Sequence, residues 1–175
     1  MANQMNLLSS EIAGLDLAAF MRHALDEAEA AGRAGQLPIG AIVVIDGQII
    51  ARGRARHKEL RNQLRHAELN ALLEGGEPLW TNYDRAILFT NVEPCPLCLG
   101  AVVMADVPHV VFALEDRVVY SPQTIEANPY VRRHLRTYHG GVLAAESAAI
   151  IGRYAPDLLR YITTGGGAPP SVAGL

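Results

Sequence analysis

The sequence has 175 residues, of which 50% are hydrophobic and 19% are charged, a composition typical of one globular domain. No apolar stretch approaches the roughly 20 residues that a membrane-spanning helix needs, and the first ten residues lack the basic start and apolar run of a secretory signal. A net charge of -3 argues against a protein that coats nucleic acid. With two cysteines and no signal, we predict a soluble cytoplasmic protein whose thiols stay reduced.

Apolar periodicity and turn residues predict an alternation of helices and strands. The first half of the chain is predicted to form a helix from 17 ending near Gly32 or Gly35, strands over 39–45 and 48–51, a polar and basic loop to Gln63, and a helix over 66–73. A strand over 86–90, a helix that begins at Pro94 or Pro96 and ends before Pro108, and a strand over 109–113 follow. The last predicted elements are a short strand at Val142-Leu143 and a helix over 146–160 interrupted at Pro156. Asp46-Gly47 between apolar runs is a strong hairpin signal. The alternation predicts an α/β fold with helices on both faces of a sheet. The Gly-, Pro- and Ala-rich segment 163–175 is predicted to be a disordered tail.

Two short motifs supply the donors and the acid–base group of a zinc enzyme. His66-Ala67-Glu68 precedes Cys95-Pro96-Leu97-Cys98 by roughly thirty residues. His66, Cys95 and Cys98 offer three zinc ligands, and a catalytic zinc keeps its fourth position open whereas a structural zinc is closed by four. Each motif falls at a predicted helix start, where the helix dipole stabilises the thiolate that binds zinc. Glu68 remains as a carboxylate that can transfer protons.

Each motif also has a simpler interpretation. His-x-Glu is common on helix surfaces, and Cys-x-x-Cys at a helix start also fits a thiol–disulfide redox centre formed by Cys95 and Cys98. Such redox pairs usually follow an early strand, whereas this pair lies past the middle of the chain. Joined in this order, the two motifs match the signature of the zinc nucleobase deaminases. A deaminase-like scaffold that only binds a partner is a third hypothesis, and the presence of Glu68 speaks against it.

The chain resembles the cytidine deaminase-like superfamily, in the branch that holds bacterial tRNA adenosine deaminase, bacterial guanine deaminase and fungal cytosine deaminase. The segments that carry the resemblance, over about residues 15–115, are Leu37-Pro38-Ile39-Gly40-Ala41, Arg52-Gly53, His66-Ala67-Glu68, Glu93-Pro94-Cys95-Pro96-Leu97-Cys98 and His109-Val110-Val111-Phe112. The resemblance implies a three-layer α/β/α deaminase domain over 1–162 with a central mixed five-stranded sheet. It also implies one zinc ion per subunit, a homodimer, and hydrolytic release of ammonia from an aminated nucleobase, nucleoside or related heterocycle.

The same resemblance implies a set of substrate contacts. The backbone N–H of Ala67 and the backbone carbonyl of Glu93, just before Pro94, would hold the ring and its amine. Ile39 would form an apolar floor beneath the ring, unless it only packs in the core. The related enzymes usually carry an Asn eleven residues before the zinc histidine, where this chain has Ala55, which offers no side-chain hydrogen bond.

Three explanations of Ala55 stay open at this point. The substrate ring has no polar group there, or a loop shift brings Asn62 into that role. In the third explanation, Arg54, Arg56 or His57 recognises a bulkier or anionic substituent of the substrate. Alanine substitution of those four residues would separate the explanations.

Arginine clusters raise the question of an RNA substrate. The first cluster comprises Arg52, Arg54, Arg56, Arg61 and Arg65 together with Lys58, and the second comprises Arg132, Arg133 and Arg136. They are either solvated faces or an anion-attracting rim. The negative net charge, the single lysine and the departure at Ala55 favour a small-molecule base or nucleoside over tRNA.

Overall fold

A computed structural model of the chain describes residues 6–166. Within that range the strands form one five-stranded sheet in the order β2-β1-β3-β4-β5. The strands are β1 (Gly40–Ile45), β2 (Gln48–Arg54), β3 (Ile87–Val92), β4 (His109–Leu114) and β5 (Thr137–His139). The helices are α1 (Leu17–Arg33), α2 (His57–Leu60), α3 (Ala67–Glu74), α4 (Gly76–Asn82), α5 (Pro96–Met104), α6 (Ser121–Ala127), α7 (Pro129–His134), α8 (Ala144–Tyr154) and α9 (Pro156–Thr164), and a 3-10 turn covers Tyr83–Arg85.

The sheet is mixed and is covered by helices on both faces, as the sequence predicts. β1 pairs antiparallel with β2 and β3, whereas β3, β4 and β5 run parallel. Every residue of β1 and β3 is buried, which is typical of central strands covered on both sides. Alternate residues of β1 enter different cores, because successive side chains of a strand point to opposite faces. Val43 packs in the core that includes α3 and α5, and Val44 packs in the core that includes α1.

Two glycines allow helices to approach the sheet closely. A Cβ atom on Gly53 would overlap the backbone of Ala67 and Ala71 in α3. A Cβ atom on Gly40 would likewise overlap the backbone of α1. Backbone atoms cannot move aside as a side-chain tip can, so these contacts set the distance between sheet and helices.

The last strand differs from the prediction. It is formed by Thr137–His139, and Val142 and Leu143 instead form the turn before α8, with Leu143 in the left-handed region at φ 59°. The polar-looking Thr-Tyr-His segment is strand because it pairs with β4 from His109 to Val111. Tyr138 is also fully buried there, so tertiary pairing overrides the weak local signal.

Three further differences concern the predicted loops and the tail. The predicted basic loop begins only after β2 ends at Arg54, and it contains the short helix α2. Helices α6 and α7 lie in a region for which the sequence predicts neither a helix nor a strand. Helix α9 continues through Thr163 and Thr164, the first two residues of the predicted tail, and residues 167–175 of that tail lie outside the described residues. Among the helices of the described range, none is long and apolar enough to cross a membrane.

Acid pH should destabilise the fold through His109. Its side chain is 2% exposed, its Nδ1 lies 2.9 Å from Thr137 Oγ1, and its Nε2 lies 3.2 Å from Glu11 Oε2. Burial lowers the pKa of His109, against a smaller opposing effect of Glu11. The unfolded chain therefore binds this proton first, and the free energy of unfolding decreases as pH falls from about 6.5 towards the lowered pKa. Urea unfolding measures the free energy of unfolding at each pH. Between about pH 7 and pH 5, this free energy should decrease less for His109→Gln than for the unmodified protein, and equal decreases would contradict the role of His109.

Candidate zinc site

Two helix starts bring the predicted zinc ligands together. His66 is the N-cap residue of α3, and Cys95 is the N-cap residue of α5. His66 Nδ1 lies 3.6 Å from Cys95 Sγ and 3.5 Å from Cys98 Sγ. Among residues 6–166, these three side chains form the group whose ligand atoms all lie within 4.8 Å of one another.

The three donors fit a zinc ion. Zinc–sulfur bonds of about 2.3 Å and zinc–nitrogen bonds of about 2.0–2.1 Å, at a tetrahedral angle, imply a nitrogen–sulfur separation of roughly 3.6 Å. The two observed separations, 3.6 and 3.5 Å, match that value. One imidazole with two thiolates is a donor set that zinc prefers, and three protein ligands leave one position open.

The pKa values of the two cysteines are shifted in opposite directions. A hydrogen bond from Cys98 and a second one from the His66 ring lower the pKa of Cys95 to about 4. The hydrogen bond to Cys95 and burial raise the pKa of Cys98. A bound metal ion would favour the thiolate form of both cysteines.

Glu68 lies beside the donor triad in the first turn of α3. It is 4% exposed, and its Oε2 lies 3.4 Å from Cys98 Sγ. Burial raises the pKa of the carboxyl group. The carboxylate is therefore within reach of the metal position without belonging to the ligand group.

A cavity of about 140 Å³ opens onto these groups. The predicted site residues that line it are His66, Glu68, Cys95, Ile39, Ala55, Ala67 and Glu93. Pro94 is not part of the wall; it is buried, and its carbonyl accepts a hydrogen bond from the Ser121 hydroxyl at 2.8 Å. The Glu93 carboxylate accepts hydrogen bonds from the Tyr138 hydroxyl at 2.8 Å and from the Asp116 backbone N–H at 3.0 Å.

The structure separates the residues considered as substitutes for the missing asparagine. Asn62 is exposed, and its Oδ1 accepts a hydrogen bond from the Leu64 N–H at 2.9 Å. Arg54 and Arg56 line a different, polar cavity of about 440 Å³ together with Arg52 and Arg65. Of the four candidates, His57 lies in the wall of the zinc cavity, beside Ala55. Burial lowers the pKa of the His57 ring to about 4.

Five wall residues are missing from the sequence-based prediction, namely Leu37, Val92, Asp116, Leu158 and Ile162. Asp116 is buried, and its Oδ1 accepts hydrogen bonds from the N–H groups of Val118 at 2.8 Å and Val119 at 3.2 Å. An acidic residue just past the buried strand β4 is the signal that could have found it, because ligands bind at the carboxyl ends of parallel strands. Leu158 and Ile162 come from α9, one helical turn apart, and no motif marks them.

Removal of one cysteine should remove the metal. We expect Cys98→Ala to purify with far less than one zinc per chain, because only two of the three donors remain. Elemental analysis measures the zinc content, and His23→Ala, which replaces a histidine on the exposed side of α1, serves as the control. A full equivalent of zinc in Cys98→Ala would mean that another side chain takes its place.

The mixed sheet and the His-Cys-Cys group beside a buried carboxyl define a zinc-binding deaminase fold. Residues 16–114 match the family described as the cytidine and deoxycytidylate deaminase zinc-binding region, which is more than half of the chain. The chain belongs to this family, and the resemblance drawn from the sequence is confirmed. Family membership replaces the thiol–disulfide hypothesis as the explanation of Cys95 and Cys98.

Among curated proteins, the chain is similar to tRNA-specific adenosine deaminases. That of Agrobacterium fabrum is 32% identical over 139 residues, which make up 77% of this chain and 91% of that protein. That of Streptococcus pyogenes is 38% identical over 100 residues, which make up 56% of this chain and 62% of that protein. The chain therefore spans less than two thirds of the streptococcal relative.

Solved structures show the same fold with more than one activity. One comes from a study of A-to-I editing by tRNA:A34 deaminases at the wobble position; its TM-score is 0.67 at 32% identity, covering 75% of this chain and 98% of that one. Another is guanine deaminase from Bacillus subtilis, with a TM-score of 0.53 at 32% identity, covering 65% of this chain and 71% of that one.

Proposed function

We propose that this protein is a zinc-dependent hydrolase that deaminates an aminated nucleobase, nucleoside or related heterocycle. The observation that carries the proposal is the arrangement of three zinc donors around one position, with Glu68 buried beside them. His66, Cys95 and Glu68 line one cavity. In the overall reaction, water adds to the ring C=N bond at the carbon that carries the amine, and the C–N(amine) bond then breaks to release ammonia and leave a carbonyl on the ring.

Each residue of the site has a proposed role in the reaction. His66, Cys95 and Cys98 would hold the zinc ion, which when bound supplies a water molecule acidified towards pKa ~7. Glu68 accepts a proton from the attacking water on a carboxylate oxygen and donates it to the ring nitrogen; it then takes the second proton from the newly added hydroxyl group and donates that one to the leaving amine. The backbone N–H of Ala67 and the backbone carbonyl of Glu93 are proposed to orient the ring and its amine.

The size and lining of the cavity support a small planar substrate. About 140 Å³ is below the roughly 300–1,000 Å³ of sites for drug-sized ligands. Ile39, Val92 and Leu158 give the cavity apolar walls, which suit the faces of an aromatic ring and exclude bulk water. A free base or a related single heterocycle is therefore the preferred substrate.

Ammonia release across a panel of compounds tests the proposal. The panel contains aminated purines, pyrimidines and triazines and the corresponding nucleosides, with protein loaded to one zinc per chain. We expect one ring class to be deaminated and the free base to be preferred over its nucleoside. Absence of ammonia release from the whole panel and from RNA would overturn the proposal.

An adenosine deaminase that acts on tRNA is the second candidate. The similarity to tRNA-specific adenosine deaminases favours this candidate. So does the second cavity, because its lining includes arginines that come shortly before His66 in the sequence. The pairing of Arg56 with Glu59 at 2.6 Å, and the longer contacts of Arg52 and Arg54 with Glu27, reduce the charge available to phosphates. RNA affinity should fall steeply between low and moderate salt through counterion release, whereas salt-independent kinetics would exclude RNA.

We also propose a homodimer in the cytoplasm. Leu97 and Met104 share one face of α5 two turns apart and are 42% and 72% exposed. Leu73 and Trp80 are 72% and 82% exposed on α3 and α4, and such exposed apolar side chains are typical of protein interfaces. Sedimentation should give the mass of two chains, and Met104→Asp should shift the mass towards that of one chain.

The cytoplasmic location is proposed because of the cysteines. Neither Cys95 nor Cys98 forms a disulfide bond, which suits a reducing compartment.

A further inference from the structure

The ring of His57 is fixed in the wall of the zinc cavity. His57 is 7% exposed, and its ring packs edge-on against the His66 ring with 4.9 Å between centroids. The backbone around it is held at both ends of α2: the Lys58 N–H donates to Gln36 Oε1 at 3.0 Å, and the Asn62 N–H donates to the His57 carbonyl at 3.0 Å. The position of this imidazole is therefore set before any ligand enters.

One nitrogen of this ring lacks a protein partner. Among the buried side-chain nitrogen and oxygen atoms of residues 6–166, two have no hydrogen-bond partner, His57 Nδ1 and Thr90 Oγ1. Nearly all buried polar atoms in native proteins are paired, so an unpaired one at a ligand cavity indicates a partner supplied from outside the chain. Thr90 lies outside the cavity wall, whereas His57 belongs to it.

The other polar side chains of the wall each form at least one hydrogen bond within the protein or belong to the zinc site. Asp116 accepts backbone hydrogen bonds, and Glu93 accepts hydrogen bonds from Tyr138 and from the Asp116 backbone. Glu68 and the zinc donors perform the chemistry proposed above. Ala55, next to His57 in the wall, offers no polar atom.

We propose that His57 is a specificity-determining residue that forms a hydrogen bond with the substrate heterocycle. This inference rests on the proposed function and extends it, because it names the side chain that selects the ring. A site that forms a hydrogen bond with its substrate discriminates strongly against analogues that lack the matching group, since its own polar atom is then left unpaired. The substrate thus carries a ring nitrogen or an exocyclic polar group at the edge that faces His57.

His57→Phe is the test variant, because phenylalanine keeps a flat ring against His66 and removes both nitrogens. His57→Gln is the rescue variant, since it restores a polar group at similar length. Thr90→Val is the matched control, because it removes the other unpaired buried polar atom away from the cavity. Zinc content and unfolding temperature are measured for all three together with the unmodified protein.

The kinetic readout is kcat/KM for each member of the substrate panel. We expect His57→Phe to keep its zinc and to lower kcat/KM for the best substrate by roughly ten- to a hundredfold, mainly through KM, with a smaller decrease for analogues that lack the polar edge. His57→Gln should recover part of this loss, and Thr90→Val should keep the selectivity of the unmodified protein. Equal losses for all analogues, or loss of zinc in His57→Phe, would overturn the inference.

A binding measurement separates this inference from the proposed function. Calorimetry with adenine, guanine, cytosine and a diaminotriazine reports ring binding whether or not ammonia is released. If rings bind and His57→Phe weakens them selectively without any turnover, the proposed reaction fails and the role of His57 stands. If turnover occurs and His57→Phe binds and converts every ring as the unmodified protein does, the role of His57 fails and the reaction stands. Absence of both binding and turnover would overturn both.

Discussion

Glu68→Gln should retain one zinc per chain and lose ammonia release. The substitution keeps the shape of the side chain and removes the carboxylate that transfers protons, while His66, Cys95 and Cys98 remain in place. General acid–base groups typically contribute a factor of about 10²–10⁴ to the rate, so kcat should decrease by a factor within or above that range. The zinc content should stay at one ion per chain. Elemental analysis and single-turnover ammonia release measure the two quantities on the same sample.

Glu74→Gln is the control for this experiment. Glu74 is exposed at the far end of the same helix α3 and does not line the zinc cavity. It should leave both zinc content and turnover unchanged. Loss of zinc in Glu68→Gln would show that the carboxylate belongs to the metal site, and full activity in that variant would assign the proton transfer to another group.

Gly53→Ala should destabilise the fold and weaken zinc binding together. The added methyl group would overlap the backbone of Ala67 and Ala71, so β2 and α3 must separate. Overpacking of this kind costs about 1–3 kcal/mol, and the upper part of the range is expected because neither partner is a side chain. Since α3 begins beside His66, its displacement also moves a zinc donor. Urea unfolding and zinc competition with a chelator measure the two effects.

Gly100→Ala provides the matched comparison. Gly100 lies inside α5, the helix that carries Cys98, and an added Cβ atom would meet no atom within 4 Å. Alanine is favoured over glycine in a helix by up to about 1 kcal/mol, so this variant should be as stable as the unmodified protein or more stable. A Gly53→Ala protein with unchanged stability and zinc affinity would show that the sheet and α3 are not held at a fixed distance.

The zinc donors and Glu68 could be predicted because their chemistry is encoded locally. The sequence itself shows a histidine and a glutamate two residues apart, followed by a cysteine pair at a predicted helix start. Their spacing is enough to recognise the site. The hairpin and the buried strands β3 and β4 are likewise visible as apolar runs bounded by turn residues.

Features that depend on distant pairing could not be predicted in this way. β5 is polar for most of its length and forms because it pairs with β4. Asp116 and the α9 residues reach the cavity only through the packing of the chain, and α9 is held there by the hydrogen bond from the Arg117 N–H to the Ile162 carbonyl at 2.8 Å. Ala55, found by counting back from His66, lines the cavity, but His57 as a polar residue of the same wall could be identified only from the folded arrangement.

Residues from two separate parts of the chain line the cavity. The residues proposed for catalysis lie within 16–114, whereas Leu158 and Ile162 lie well beyond that stretch. Substitutions at Leu158 or Ile162 are therefore expected to change which ligands the cavity accepts while the zinc donors and Glu68 stay in place. Engineering of new selectivities would begin at these two positions.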